Sequence, residues 1–255
     1  MENKLSLLKY FMVRDIKVKY AGSALGILWT FLMPALQILI YWFVFSTVMR
    51  VRPYSNSQIP YVYYLLSTFF FWLAVSEGIS RSGAILIENA ELVKKVSFPN
   101  IVLPVAITLS GYLHHFAGVV LAFIIFTFSG LSHIHMFFII PVLILQIFFS
   151  IGIGLIMAAI VPYIRDIQQI TGYVLQGMFF LSPVIYPLDA IPERFRLFVF
   201  LNPITVYIES YHSIIFKKQF PETSYIFGMI FISCLSLFIG IKVFNKLSKG
   251  LADIL

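Results

Sequence analysis

The sequence predicts an all-α membrane protein with six transmembrane helices, an N-terminal amphipathic interfacial helix and a broken, re-entrant external segment before the last span. Composition and charge pattern support this fold class. Hydrophobic residues make up 60% of the chain and charged residues only 11%, whereas a soluble domain carries about 25% charged residues. The charges cluster between long apolar runs. Most of the folded surface therefore does not face water.

Composition also excludes several classes of protein. The net charge of +7 favours an acidic partner, but the charged residues are too few for a nucleic-acid groove, so a phosphate-rich membrane surface is preferred. Cys234 is the only cysteine, which excludes an intrachain disulfide and a thiolate metal cluster. The first apolar segment begins at residue 28 and is too long for the core of a cleavable signal peptide.

We interpret residues 1–27 as an interfacial helix followed by a bend. Apolar side chains recur at steps of three and four residues: Leu5, Leu8, Met12, Ile16 and Tyr20. Lysines fill much of the remaining surface, a pattern typical of a helix that lies in the membrane plane against the anionic headgroups of phospholipids. A basic anchor without a helix is the alternative. Gly22 and Gly26 then allow either a bend into the first span or a close approach of helices.

Charge-free runs locate the six spans, because a helix needs about 20 mostly apolar residues to cross the hydrocarbon core of a bilayer. The run 96–164 contains no Asp, Glu, Lys or Arg. It is too long for one helix, and the sequence SGLSH divides it. The resulting spans are 28–49, 60–83, 99–128, 136–160, 167–188 and 223–243. Pro34 is expected to kink the first span, and the whole chain, 1–255, forms one transmembrane domain.

The distribution of Lys and Arg orients these spans. Two thirds of the 18 Lys and Arg residues lie on the side that holds both termini. Because loops rich in Lys and Arg stay in the cytoplasm, both termini are predicted to be cytoplasmic. The last external loop is itself basic, with Lys217 and Lys218, so the asymmetry is moderate.

The apolar stretch 197–208 is too short to cross a bilayer and has Asn202-Pro203 in its middle. This pattern predicts a re-entrant or interfacial pair of short helices, which is tolerated where protein or a cavity satisfies the backbone. A lipid-facing amphipathic loop is the alternative. We assign 189–219 as an external gate region, because a broken segment can move without unfolding a span. The gate candidates are Pro183, Pro187, Pro192, Arg194 and Pro203.

Three motifs, taken in order along the chain, resemble one family. They are RDIKVKYAGSALGILWTFLMPA (14–35), PYIRDIQQI (162–170) and FLSPVIYPLDAIPERFRLFVFLNPITVYIESYHSIIF (180–216). Together they resemble the type-2 ABC exporter permeases, in particular the exporters of O-antigen, capsule or teichoic acid chains. The resemblance implies a homodimeric subunit of the bacterial inner membrane that works with two ABC ATPase subunits. It also implies that a lipid-linked polysaccharide moves from the cytoplasm to the periplasm.

The energy source must lie on another polypeptide. The sequence has no Gly-x-x-x-x-Gly-Lys-Ser/Thr motif, so this chain cannot cradle the phosphates of ATP; ATP and Mg belong to the partner subunit, and no cofactor is expected here. A polar segment, 84–98, separates the second and third spans. The resemblance implies that it is the coupling helix seated on the ATPase, while a solvated loop is the alternative. The coupling candidates are Glu88, Glu91, Lys94 and Lys95.

Aromatic and amide side chains form a face on the first span and another on the fifth. Glutamine facing lipid is costly, so both faces should point into protein or a wet cavity. Aromatic rings pack on the C–H faces of sugars while Tyr and Gln bond hydroxyl groups, which suits a polysaccharide channel; ordinary helix packing is the alternative. The resemblance implies that spans one and five line the pore of a dimer. The channel candidates are Gln37, Tyr41, Trp42, Phe45, Gln169, Tyr173, Gln176 and Phe180.

The basic N-terminal helix flanks the route by which a lipid diphosphate would enter from the cytoplasmic leaflet. Arg14, Lys17 and Lys19 are the candidates for contacting that phosphate. Plain anchoring to the membrane is the alternative role for these three side chains.

Few ionisable residues lie inside the spans, which argues against an ion- or proton-coupled carrier. His114 and His115 lie in the third span, but adjacent helical residues point about 100° apart and no acid lies nearby in sequence. We therefore interpret them as packed, hydrogen-bonded histidines and predict no metal site.

Two rival functions remain. One is a type-2 permease for drugs or small lipids. The other is a membrane enzyme acting on polyprenyl phosphates, which should show clustered acids for magnesium. Here the acids are scattered apart from Glu88 and Glu91, so no enzymatic activity is expected.

Overall fold

A computed structural model describes residues 4–53, 59–95 and 99–254, and within these ranges the regular elements are all helices. Five helical segments are long and apolar enough to cross a membrane: Gly26–Val48, Tyr61–Glu88, Val102–Phe128, Ile134–Ile160 and Thr223–Gly250. The predicted all-α membrane class is confirmed, and these segments match predicted spans one to four and six. The fifth predicted span coincides with a shorter helix, Asp166–Phe180, so the count of six stays a prediction.

The N-terminal helix α1 (Lys4–Lys19) leads through a bend into α2 (Trp29–Tyr41). Gly22 and Gly26 both have positive φ, +78° and +49°, a backbone conformation that glycine adopts without steric cost. A side chain at either glycine would meet no described atom within 4 Å. Of the two roles left open by the sequence, the glycines therefore make the bend and not a close helix contact.

Helix α1 packs on α5 (Val102–Phe128), and this contact buries a residue outside the apolar stripe expected from the sequence. Phe11 is only 9% exposed, whereas Leu5 of the stripe is 71% exposed on the single chain. Leu8 and Met12 of the stripe pack against the apolar cluster that contains Phe11. Contact of the stripe with lipid stays a prediction, and Phe11 adds a contact with protein.

Helix α3 (Tyr61–Glu88) is the central element and packs against α5 and α6 (Ile139–Ile160). It begins after Pro60, whose extended conformation cannot belong to a helix. At the other end Asn89 donates a side-chain hydrogen bond to the carbonyl of Ile85 at 2.9 Å. A short helix, α4 (Ala90–Lys95), follows. Helix α3 thus continues beyond residue 83, where the second span is predicted to end, and that end of the span stays a prediction.

Helix α7 (Asp166–Phe180) ends before Ser182-Pro183, and the chain then turns back into the protein. The carbonyl of Pro183 accepts a hydrogen bond from the Tyr64 hydroxyl at 2.7 Å, and the carbonyl of Ile185 accepts one from Tyr61 at 2.6 Å. Backbone groups that leave the helical pattern need such partners in an apolar setting. These two tyrosines explain how the predicted span 167–188 can stop early.

Two short helices follow, α8 (Glu193–Leu201) and α9 (Thr205–Ile215), with Asn202-Pro203 between them. The Asn202 side chain donates to the Met178 carbonyl at 2.8 Å and accepts from the Ile204 amide at 3.1 Å. Helix α9 is buried along almost its whole length, while α8 is mostly exposed. The stretch 197–208 is thus part of a pair of short helices, and protein surrounds the second one.

The gate candidates take different environments in this region. Pro183 and Pro187 are buried, Pro203 is half-buried, and Pro192 lies exposed at the start of α8. The guanidinium of Arg194 lies exposed over the ring of its neighbour Phe195, 4.7 Å from the centroid.

The chain ends with α10 (Thr223–Leu247) and α11 (Leu251–Ile254). Phe11 of α1, Val93 of α4 and Leu251 of α11 belong to one apolar cluster. The two chain ends and the segment between spans two and three therefore meet at the same end of the bundle.

Helices α6 and α10 approach each other closely at two glycines. A methyl group at Gly152 would lie 2.3 Å from the carbonyl carbon of Ser236, and one at Gly240 would lie 2.3 Å from the carbonyl oxygen of Gly152. Small residues allow such approaches where helices associate in membranes.

We expect Gly152→Ala to destabilise the protein by about 1–3 kcal/mol, because the added methyl overpacks a backbone contact. Thermal unfolding of the purified chain in detergent measures this. Gly177→Ala is the matched control, since no described atom lies within 4 Å of a methyl group there. Equal midpoints for the two variants would contradict the close packing.

Candidate functional site

A groove runs between α2, α3 and α7, with a volume of about 220 Å³. Aromatic, amide and hydroxyl side chains line it. They are Gln37 and Tyr41 from α2, Phe69, Trp72, Leu73, Ser76 and Ser80 from α3, and Leu175, Gln176 and Phe179 with Gly172 from α7. The two predicted faces on spans one and five thus meet in this groove through three of their residues, Gln37, Tyr41 and Gln176.

The inner wall of the groove is aromatic. The ring centroid of Phe179 lies 5.2 Å from that of Tyr41, 5.5 Å from that of Trp72 and 6.2 Å from that of Phe69. Such offset and edge-on contacts hold rings in fixed orientations. The arrangement offers flat apolar surfaces beside the amides of Gln37 and Gln176, which can exchange hydrogen bonds with hydroxyl groups.

The groove continues into a second cavity of about 420 Å³, which shares Gln37, Leu73, Ser76 and Ser80 with the first. Charged and titratable side chains line this end. They are Lys19, Tyr20, Glu77, Arg81, His114 and His115. One continuous groove therefore has an aromatic end and a charged end.

The charged end contains two crossed ion pairs between α1 and α3. Lys19 Nζ lies 2.8 Å from Glu77 Oε1, and Arg81 Nη1 donates to Asp15 Oδ2 at 2.8 Å. The second guanidinium nitrogen of Arg81 also pairs with Asp15, so this pair is bidentate. Ser110 of α5 donates a further hydrogen bond to Asp15. These two acids and two bases cancel in charge.

Two adjacent histidines of α5 complete the cluster. Nδ1 of His114 lies 2.9 Å and Nε2 of His115 lies 3.1 Å from the same oxygen, Glu77 Oε2. Lys19 Nζ is 2.7 Å from His114 Nδ1. On its other side the His114 ring contacts the Tyr20 hydroxyl, which lies 2.6 Å from Thr30 Oγ1. Burial raises the pKa of Tyr20; the Thr30 hydrogen bond opposes this rise and the Glu77 charge adds to it.

The candidates for contacting phosphate separate in the structure. Lys19 is engaged with Glu77 and His114, whereas Arg14 and Lys17 are exposed. Arg14 lines a further cavity of about 240 Å³ with Asp15, Arg81 and Glu88 among its walls. This cavity therefore places Arg14 near the coupling candidate Glu88.

The other coupling candidates lie on α4, which rests on the protein through Val93. Glu91 and Lys94 are exposed on this helix. The side chain of Lys95 and residues 96–98 lie outside the described part of the chain, as does the end of the predicted segment 84–98.

The remaining channel candidates do not line the groove. Phe45 stacks on Tyr61, with centroids 6.5 Å apart and planes 18° apart. Trp42, Gln169, Tyr173 and Phe180 lie exposed on the surface of the single chain.

Sequence reasoning missed the partners of the histidine pair and the crossed ion pairs. A signal for the ion pairs was present: Asp15 and Lys19 are four residues apart, as are Glu77 and Arg81, and in both pairs the acid comes first. Residues four apart share a helix face, so two such faces can pair crosswise. No local pattern links Glu77 to His114, because the contact joins different helices.

The model of the ABC-2 type transporter family matches residues 6–216. The chain is 30% identical over 245 residues to an O-antigen export system permease protein RfbA of Klebsiella pneumoniae, covering 95% of this chain and 92% of that protein. It is 28% identical over 254 residues to RfbA of Myxococcus xanthus, covering 97% and 94%. It is 24% identical over 242 residues to the polysialic acid transport protein KpsM of Escherichia coli, covering 94% and 92%.

A double-mutant cycle tests the bidentate Asp15–Arg81 pair. We expect Asp15→Ala and Arg81→Ala to show a coupling of about 1.5–3 kcal/mol, because charge-assisted hydrogen bonds in a partly buried site are strong. The measurement is reversible unfolding in mixed detergent micelles. A cycle of Lys17→Ala with Arg81→Ala is the control and should show no coupling; equal coupling in both cycles would contradict the pairing.

Proposed function

The chain belongs to the ABC-2 type transporter family, and we propose that it is the membrane subunit of an ATP-driven exporter of a lipid-linked polysaccharide. Full-length similarity to O-antigen export permeases and to a polysialic acid transport protein supports this function. The names of these similar proteins also favour a polysaccharide as the substrate, over the drugs or small lipids that the rival type of permease would carry. Membership of a transport family favours transport over catalysis.

The observation that carries the proposal is the groove with a charged end and an aromatic end. A lipid-linked glycan has a phosphate head and a sugar chain. The aromatic end of the groove offers a surface for the sugars, and the exposed Arg14 and Lys17 of α1 offer cations for the phosphate. Trp72 and Tyr41 supply ring faces for sugars, while Gln37 and Gln176 supply amides. A surface that stacks on many sugars without a deep pocket for one of them lets a polymer slide.

Two copies of the chain form the complete channel in this proposal. Tyr173 is 77% exposed, and Trp42 and Phe180 are also exposed beside the groove. A second copy would cover these rings and the polar face of Gln169, so that spans one and five of both copies surround the glycan. A homodimer also gives the transporter two matching sites for two ATPase subunits.

The membrane topology follows from the same assignment. Helix α7 and the turn after it serve as a short fifth span, which brings the number of spans to six, and α8 and α9 enter from the outer side as a re-entrant gate. Both chain ends lie at one end of the bundle, which we place in the cytoplasm because of its excess of Lys and Arg. The membrane is the bacterial inner membrane, and α1 lies at its cytoplasmic surface.

The phosphate of the substrate enters beside α1. Arg14 and Lys17 are exposed and available to an anion. Lys19 already holds Glu77 at 2.8 Å, so it can bind a phosphate only by exchanging partners. On the outer side, the prolines and Arg194 of the gate region border the exit.

ATP and Mg bind to a separate ABC ATPase. Helix α4 is the docking element of this proposal, because it sits at the cytoplasmic end of the central helix α3 and presents Glu91 and Lys94 outward. A short helix on the end of a rigid span can transmit movement of the ATPase to the groove.

Reconstitution tests the function. The chain is purified with its partner ABC ATPase and placed in vesicles loaded with a lipid-linked O-polysaccharide. We expect the glycan to increase ATP hydrolysis and to become accessible on the opposite face. Transport of a small lipid while the glycan stays in place would contradict the proposal and favour the rival permease.

The groove predicts the effect of its two glutamines. We expect Gln37→Leu and Gln176→Leu each to lower glycan export several-fold, because each removes an amide that bonds sugar hydroxyls. The same vesicle assay measures this. Asn245→Leu, which removes an exposed amide near the end of α10 and outside the groove, is the matched control. Unchanged export in both groove variants would show that the groove is not the route.

The docking helix predicts a separate defect. We expect Lys94→Glu to reduce the amount of ATPase that co-purifies and the stimulation of its activity by glycan, because the charge reversal lies at the interface. Arg52→Glu, an exposed residue between α2 and α3 at the opposite end of the bundle, is the control and should retain both. A fully active Lys94→Glu complex would contradict docking through α4.

A further inference from the structure

We propose that Glu77, His114 and His115 form a binding site for a divalent transition-metal ion, of which Zn²⁺ is the best match. In the metal-free protein the ammonium group of Lys19 takes the place of the ion. The site requires neither the transport function nor the partner subunit, and it revises our expectation that the chain holds no metal site.

The donor atoms have the right chemistry and spacing. Two imidazole nitrogens and a carboxylate oxygen lie within 4.8 Å of one another, and nitrogen with oxygen donors is a combination that Zn²⁺ accepts. Glu77 Oε2 is 2.9 Å from His114 Nδ1 and 3.1 Å from His115 Nε2. Tetrahedral ligands bound at about 2.0–2.1 Å lie roughly 3.3 Å apart, so the carboxylate oxygen is already close to the ligand–ligand distance from each imidazole nitrogen.

The scaffold holds these donors in place. Glu77 lies on α3 and both histidines lie on α5, and these two long helices pack against each other. The far nitrogen of His114, Nε2, contacts the Tyr20 hydroxyl. A histidine that binds metal through one nitrogen commonly has its other nitrogen held by such a partner. The fourth position of the metal would face the adjoining cavity, where a water molecule or an anion can bind.

The site already holds a cation. Lys19 Nζ lies 2.8 Å from Glu77 Oε1 and 2.7 Å from His114 Nδ1. His114 Nδ1 thus touches both an ammonium group and a carboxylate, and it cannot donate its proton to the carboxylate while accepting one from lysine. A metal ion would relieve this conflict by binding the nitrogen and the carboxylate together.

The side chain of Lys19 is able to move away from Glu77 and His114. It is 28% exposed, and Lys19 is the last residue of α1, directly before the glycine bend. Arg81 also lies 3.4 Å from Glu77 Oε1, but its bidentate pair with Asp15 can stay closed when Lys19 moves. Metal binding and the Lys19–Glu77 ion pair are therefore alternatives, and metal would weaken one of the two ion pairs that hold α1 to α3.

Because Lys19 and the metal ion compete for the same groups, removing the lysine should raise the affinity for Zn²⁺. A misfolded variant would lose affinity instead. The full chain is purified with a tag that contains no histidine, and Zn²⁺ binding is measured by titration calorimetry, with Co²⁺ absorption reporting the ligand field. We expect a single ion per chain. His115→Ala should lower the affinity by at least about tenfold, since even outer-shell changes cost about 10–100-fold, whereas Lys19→Met should raise it by about tenfold or more.

His135→Ala is the matched control, because His135 lies before α6 at the opposite end of the bundle, and its Zn²⁺ affinity should equal that of the unmodified chain. The proposal is overturned if the unmodified chain binds Zn²⁺ no more tightly than His115→Ala. It is also overturned if Lys19→Met leaves the affinity unchanged or lowers it, since lysine would then not occupy the metal position.

Discussion

Charge neutralisation at the junction of α1 with α3 and α5 is the constraint on which the rest of the site depends. Four ionised groups, Asp15, Lys19, Glu77 and Arg81, lie where an apolar bundle meets its surface helix, and an unpaired charge there would cost several kcal/mol. The pairs Lys19–Glu77 and Arg81–Asp15 neutralise all four charges, and they can form together only in one register of α1 against α3. Helix α1 is therefore held by ion pairs as well as by the apolar contact of Phe11.

The position of α1 determines where the groove opens. The bend at Gly22 and Gly26 follows directly after Lys19, so fixing α1 also fixes the start of α2. Helix α2 then lies across from α7, with α3 behind both, and the space between them is the groove. The same ion pairs give the groove its charged end, while the rings around Phe179 give it an aromatic one. One junction thus links helix placement, groove shape and electrostatics.

Much of the fold follows from local sequence. Charge-free runs located the five long helical segments, and Asn202-Pro203 marked the break between α8 and α9. The glycines allowed either a bend or a close approach of helices, and the structure shows the bend. These features depend on the hydrophobicity of a run of residues and on local backbone preferences, and a short stretch of sequence determines both. The early end of α7 was missed because it depends on Tyr61 and Tyr64, more than a hundred residues away in sequence. Phe11 was overlooked since its burial reflects the shape of α5.

The site was less accessible to sequence reasoning, because it is made where helices meet. Gln37 and Gln176 were chosen for their polarity inside apolar spans, whereas Trp72 of the central helix was not considered.

Photo-crosslinking tests the groove as the glycan route most directly. A photoreactive phenylalanine derivative at Ser76 should capture lipid-linked glycan during ATP hydrolysis, and one at Phe227, 68% exposed on α10, should not. Capture at Phe227 but not at Ser76 would contradict the account.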